Sequence, residues 1–160
     1  MALLSVKDAF YGGLIYCSGD TIAMLIGSDY QFSRMLGMAL LGSTLYAIEI
    51  PAYFRWLARR FSGRGIGQAL ARMLLAAAFF NPLWIARHIV FINLFSGAWR
   101  DISFAIFPLA LSSFCFSLPA TLPANYVIQN YIGLDWRFFA SSLFSALMAI
   151  YFSLSEVLFA

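Results

Sequence analysis

Residues 102–134 read ISFAIFPLALSSFCFSLPATLPANYVIQNYIGL, a run without one charged side chain. Soluble domains carry about 25% charged residues. With so few charges over 160 residues, a water-facing fold could not cover its surface with polar groups. The rest of the chain agrees, with 62% hydrophobic, 18% aromatic and 11% charged residues overall. The solvent that matches this composition is the hydrocarbon of a bilayer.

Outward from that run, four more apolar stretches follow the same pattern. Ala9 to Ser28 is broken only by Asp20, and Met35 to about Leu57 by Glu49 and Pro51. Met73 to Phe95 contains Asn81, Pro82, Arg87 and His88, while Phe138 to Phe159 carries only Glu156. A spanning helix needs about 20 residues, so each of these four is long enough to cross. Within the opening run, Ile102 to Leu118 is just long enough. Pro119 and Pro123 are expected to end that helix, because each lacks an N–H and clashes with the turn before it. Residues 124–131 then read as an interfacial helix or turn, with tyrosines at headgroup depth. The expected fold is all-α: one integral membrane domain over residues 1–160, a polytopic transmembrane bundle of four to five helices (about 9–28, 35–57, 73–95, 102–118 and 138–159). At the N-terminus Lys7 and Asp8 cancel and Asp20 interrupts the apolar core. The first segment is therefore read as a mature helix rather than a signal peptide.

Charge placement sets the expected orientation. Arg55, Arg59, Arg60 and Arg64 crowd the second connection, with Arg72 at the start of the next segment. The positive-inside rule puts the 55–64 connection on the cytoplasmic side of a bacterial inner membrane, or on the matrix side of a mitochondrial one. Many Arg and Ala with a single Lys lean toward the bacterium.

Several function classes fall away. The net charge of +3 lies mostly at the ends of apolar runs, not over a polar face, so no nucleic-acid partner is expected. Cys17 and Cys115 lie inside apolar segments, outside any CxxC or His/Cys cluster, so no metal is expected. With one His and no GxSxG, phosphate loop or HExxH, neither an enzyme nor a cofactor is indicated.

Ionisable groups inside a span cost about 2.5–3.5 kcal/mol each on insertion scales, so they face a bundle interior or water. Asp20, Glu49, Arg87 and His88 meet that description. Gly13, Cys17, Ala23 and Gly27 share the face of Asp20, and small residues mark close helix packing. Tyr46, Ala52 and Tyr53 share the face of Glu49. Arg87 and His88 diverge by about 100° around their helix, and Asn81 lies seven residues before His88. Pairing of Asp20 or Glu49 with Arg87 would offset much of the insertion cost. The five polar residues, Asn81 included, are candidates for a pore or transport path. The other reading is a structural ion pair that fixes helix register. Ala39, Ser43 and Ala47, and likewise Ser142, Ser145, Ala149 and Ser153, form stripes that read as tight packing or as a hydroxyl-lined pore. Asn81-Pro82 marks a kink.

Tyr53-Phe54-Arg55-Trp56-Leu57, with Arg59, Phe61 and Gly63-Arg64, resembles the second-helix ending and loop of a known family. These are the small peroxisomal and mitochondrial inner-membrane proteins typified by Mpv-seventeen and the peroxisomal membrane channel. Gly19-Asp20, Arg34-Met35 with Gly42, Leu70 to Leu75, Pro82-Leu83 and Leu94 to Gly97 are similar to its other motifs. So are Pro123, Asn130-Tyr131 and Trp136-Arg137. The departures are Glu49-Ile50-Pro51 where the family has a His, Ala76-Ala77 where it has Asp-Gln, and the apolar 102–118 run where it has a polar amphipathic segment. A pore lined by those missing groups would differ here. Val6, Asp8, Phe10, Tyr16-Cys17-Ser18, Ser33-Arg34 and Pro82 bear a weaker likeness to bacterial L-alanine exporters. Both resemblances imply passage of a small solute across an inner membrane.

Three roles follow as expectations. The first is a small-solute channel or transporter. The second is a non-transporting structural or assembly subunit of a larger membrane complex. The third is a lipid- or pigment-binding protein, which 17 Phe and 4 Trp permit. The expected partners are the lipid bilayer, a small solute, and a second copy or other membrane subunits.

Overall fold

A computed structural model describes residues 4–159, with side chains described through Leu154. Glu156, placed by the sequence near the end of the last segment, lies outside the described side chains. The protein is an all-α integral membrane protein. Among the described residues, five helical stretches are long and apolar enough to cross a membrane: Val6–Ile26, Phe32–Arg60, Ile66–Phe95, Ile106–Tyr131 and Leu134–Leu154.

The elements are α1 (Val6–Ile26), α2 (Phe32–Leu41), a π-helical segment (Gly42–Tyr46) and α3 (Ala47–Arg60). They continue with α4 (Ile66–Phe79), α5 (Pro82–Phe95), a 3₁₀ turn (Trp99–Asp101), α6 (Ile106–Tyr131) and α7 (Leu134–Phe159). By internal contacts the chain forms two units, residues 1–52 with 138–160 and residues 53–137.

In the first unit, the π segment has a local cause. Ser43 and Thr44 both turn their hydroxyls onto the Leu40 carbonyl, at 3.1 and 2.6 Å. Side-chain bonds of this kind compete with the backbone N–H for the same acceptor, and the local register loosens to i→i+5. The widened turn brings the Gly42 carbonyl against Gly12 of α1, where a Cβ on either glycine would overlap the other's backbone. A Cβ on Gly19 would likewise overlap the Ala146 methyl of α7. The close face of α1 is therefore Gly12, Ile15, Tyr16, Gly19, Asp20, Ala23 and Met24. It is rotated from the expected stripe: Asp20 and Ala23 are buried, whereas Gly27 is exposed. Ser153 donates to the Ala23 carbonyl at 2.8 Å. That contact makes one residue of the α7 stripe a packing group.

In the second unit, α4 and α5 form one spanning stretch interrupted at Phe80–Asn81. Pro82 takes the first helical position of α5, where a missing N–H costs nothing. The helix α6 corrects the expectation for 102–118. It begins at Ile106 and runs unbroken through Pro119 and Pro123 to Tyr131, so the expected stop and separate interfacial helix do not exist. Ending a helix in hydrocarbon would orphan four carbonyls, each costing several kcal/mol. Carrying a proline costs about 3 kcal/mol. In lipid the continuous helix is the cheaper solution. The same bias lengthens the third stretch back to Ile66 instead of Met73, and the last back to Leu134 instead of Phe138.

Candidate functional site

The first unit gathers polar groups at two levels of α1. Asp20, one of the sequence candidates, is buried with 7% of its side chain exposed, and it pairs with Arg34 of α2. Arg34 Nε donates to Oδ2 at 2.9 Å and to Oδ1 at 3.2 Å, and Nη2 donates to Oδ1 at 2.6 Å. This fork-on-carboxylate geometry is the strongest common form of ion pair. It corrects the sequence expectation: the partner of Asp20 is Arg34, not Arg87.

One turn of α1 before Asp20, the buried Tyr16 has its hydroxyl near those of Ser142 and Ser145 of α7. Glu49 of α3 lies close enough for its charge to act on the same hydroxyl. Tyr46, fully buried, lies against Tyr16 with ring centroids 4.9 Å apart. Four elements thus supply hydroxyls and a carboxylate to one interior region. A lone buried hydroxyl in apolar surroundings would cost several kcal/mol, whereas hydroxyls gathered together can satisfy one another and make a polar island in this unit.

The remaining candidates lie in the second unit and have local partners. Asn81 caps α5, its Oδ1 accepting from the Leu83 and Trp84 amides at 2.8 and 3.1 Å. Arg87 and His88 diverge around α5, yet both meet Trp84, which precedes them by three and four residues. The His88 ring stacks on Trp84 at 5.6 Å and 8°. The Arg87 guanidinium lies 5.7 Å from the centroid of the same ring. Tyr53, grouped with Glu49 by its spacing, donates its hydroxyl to the Leu75 carbonyl at 2.7 Å.

A second polar group in this unit escaped the sequence reading. Arg72 Nε donates to Asn130 Oδ1 at 2.9 Å, and its Nη1 reaches the carbonyls of Phe61 and Gly63. Asn130 returns its amide to the Tyr126 and Ala69 carbonyls. Arg137 donates to the Ile132 carbonyl and to Gln129. Helical side chains lean toward the N-terminus of their helix, so Arg72 leans toward the 61–63 turn that precedes α4. The motif residues Asn130 and Arg137 therefore tie helix ends together. Among the described residues, no three His, Cys, Asp or Glu side chains gather as a metal site. Comparison with protein-family models, with curated proteins and with solved structures finds no match to this chain.

Proposed function

We propose that the chain is a small-solute channel or transporter of an inner membrane, with its polar route through the first unit. The observation that carries this reading is the interior cluster of Tyr16, Glu49, Ser142 and Ser145. A hydroxyl-rich interior beside a π segment is an expensive arrangement in lipid. Single π turns recur at functional sites. The hydroxyls can exchange hydrogen bonds with a small polar solute, and Glu49 can favour cationic or zwitterionic groups. The Asp20–Arg34 pair lies one turn further along α1, where its opening or closing can gate the route. Both family resemblances imply the same activity. The Arg-rich 55–64 connection goes on the cytoplasmic or matrix side by the positive-inside rule.

The test is solute flux in proteoliposomes of purified protein, comparing the wild type with Tyr16→Phe, Glu49→Gln and Ser142→Ala. Flux that these changes lower while helicity is kept supports a route through the cluster. Absence of flux from folded wild-type protein, over amino acids, small sugars and inorganic ions, rejects it.

A second reading is a non-transporting structural or assembly subunit of a larger membrane complex. The closed fork between Asp20 and Arg34 favours it, because a fully satisfied pair fixes helix register without any solute. On that reading Asp20→Asn alters stability or assembly size, and wild-type vesicles stay tight.

A further inference from the structure

The second unit contains an open cavity of about 490 Å³ between α5 and the start of α6. That volume falls within the usual range for small-ligand sites, about 300–1,000 Å³. Its walls are Leu83, Ala86 and Val90 on one side and Phe104, Ile106 and Phe107 on the other, with Arg87 among them. Ala86, Ile106 and Ala110 pack as one buried cluster beneath it. Because Ile106 packs against Ala86, α6 starts beside the middle of α5, and the connection 96–105 returns along the second half of α5. At the mouth, Phe104 is 88% exposed and Leu83 67%. The groove is thus greasy at its rim, inside a helical stretch long enough to cross the bilayer, with one permanent cation in its wall.

An acyl chain suits the apolar walls, and an anionic headgroup suits the guanidinium. Arg87 lies eight residues before Phe95, about 12 Å along α5 at 1.5 Å per residue. A guanidinium carries five donors in a fork that matches phosphate oxygens, so it can lie on the Trp84 ring and still hold a phosphate. The positive end of the α6 dipole at Ile106 adds to the attraction. The nearest other charges in sequence, Arg100 and Asp101 in the 96–105 connection, are of opposite sign and balance, so Arg87 is the cation that an anion in this groove would meet. A zwitterionic lipid would find the same walls but no net attraction.

We infer that this groove binds an anionic phospholipid of the surrounding leaflet, with its phosphate on Arg87 and the upper part of one acyl chain against Leu83, Val90 and Phe107. The site lies wholly in the second unit and is independent of the polar cluster around Tyr16.

The test uses the full chain purified in mild detergent from mixed phosphatidylglycerol and phosphatidylcholine, with retained lipid read by native mass spectrometry. Three variants accompany the wild type. Arg87→Gln removes the cation, Val90→Phe narrows the groove with the cation kept, and Arg64→Gln removes an exposed arginine elsewhere in the unit. The wild type is expected to retain phosphatidylglycerol over phosphatidylcholine. Arg87→Gln and Val90→Phe should each lower that retention about five- to tenfold, and Arg64→Gln should leave it unchanged. Added inorganic phosphate should not displace the lipid. Equal retention of the two lipids, or equal losses in Arg87→Gln and Arg64→Gln, overturns the inference. So does displacement by free phosphate, which would mean that the chain contributes nothing. If Arg87→Gln fails to fold, unchanged retention in Val90→Phe overturns it alone.

Discussion

Removing either half of the Asp20–Arg34 pair leaves a buried charge facing a neutral partner, and the structure fixes how large that effect should be. The carboxylate is 7% exposed and the guanidinium 18%, so water screens neither well. Three N–O contacts between 2.6 and 3.2 Å join them. Breaking a buried pair from one side costs about 3–5 kcal/mol. The partial exposure of Arg34 places the expected loss for Asp20→Asn or Arg34→Gln near the lower end, about 3 kcal/mol. The double variant removes both charges and should lose far less than the two singles together, leaving a coupling of about 2–3 kcal/mol. Reversible unfolding in mixed micelles, with a denaturing detergent as titrant and tryptophan fluorescence as readout, measures all four corners of the cycle. Additive single effects, or single losses below about 0.5 kcal/mol, would refute the claim that this pair anchors α1 to α2.

Three further perturbations have defined outcomes. Gly12→Ala pushes a methyl into the Gly42 carbonyl and should destabilise the first unit by about 1–3 kcal/mol; Gly65→Ala has open space around it and changes only the N-cap of α4, so it should lose no more than about 1 kcal/mol in the same unfolding assay. Asn81→Ala removes the cap of α5 and should cost about 1 kcal/mol, with Asn81→Asp recovering most of it. Arg72→Gln releases the Phe61 and Gly63 carbonyls and the Asn130 side chain, so amide exchange in the 61–65 turn should speed up severalfold while helicity is retained.

How far the fold was legible depended on which rule the bilayer overrides. Apolar length and the scarcity of charge point to four or five spanning stretches, and the structure has five among the described residues, because those signals measure the solvent itself. Proline failed as a stop signal at Pro119 and Pro123, since its weight as a breaker comes from proteins whose freed carbonyls can turn to water. Helix beginnings were misplaced for a related reason. Arg72 and Asp135 look like the outer limits of apolar segments, yet α4 starts at Ile66 and α7 at Leu134, so both charges sit inside helices. Glycine spacing indicated close packing on α1 but not the rotation of the packed face. The π segment shifts the register of the second stretch at Gly42, and its cause, two hydroxyls on the Leu40 carbonyl, is invisible to a period of 3.6.

The polar residues show the same division more sharply. An ionisable group deep in an apolar run advertises itself, which is why Asp20, Glu49, Arg87 and His88 stood out. Their partners did not, because partners come from sequence positions that look ordinary. Arg34 sits at a helix start, where a cation needs no explanation, and yet its fork closes on Asp20. Tyr16 has no charge to betray it; the serine stripe of α7 was visible as spacing, but only the packing of α7 against α1 brings Ser142 and Ser145 to the Tyr16 hydroxyl. Asn81 errs in the other direction: its polarity within a span suggested a solute contact, and its oxygen is committed to the first amides of α5. A membrane sequence therefore exposes its costly groups and conceals what offsets their cost. That asymmetry explains why a single substitution at Asp20 cannot separate transport from structure. The uncharged positions Tyr16 and Ser142 can, because removing one hydroxyl there leaves every ion pair intact while changing what a passing solute would touch.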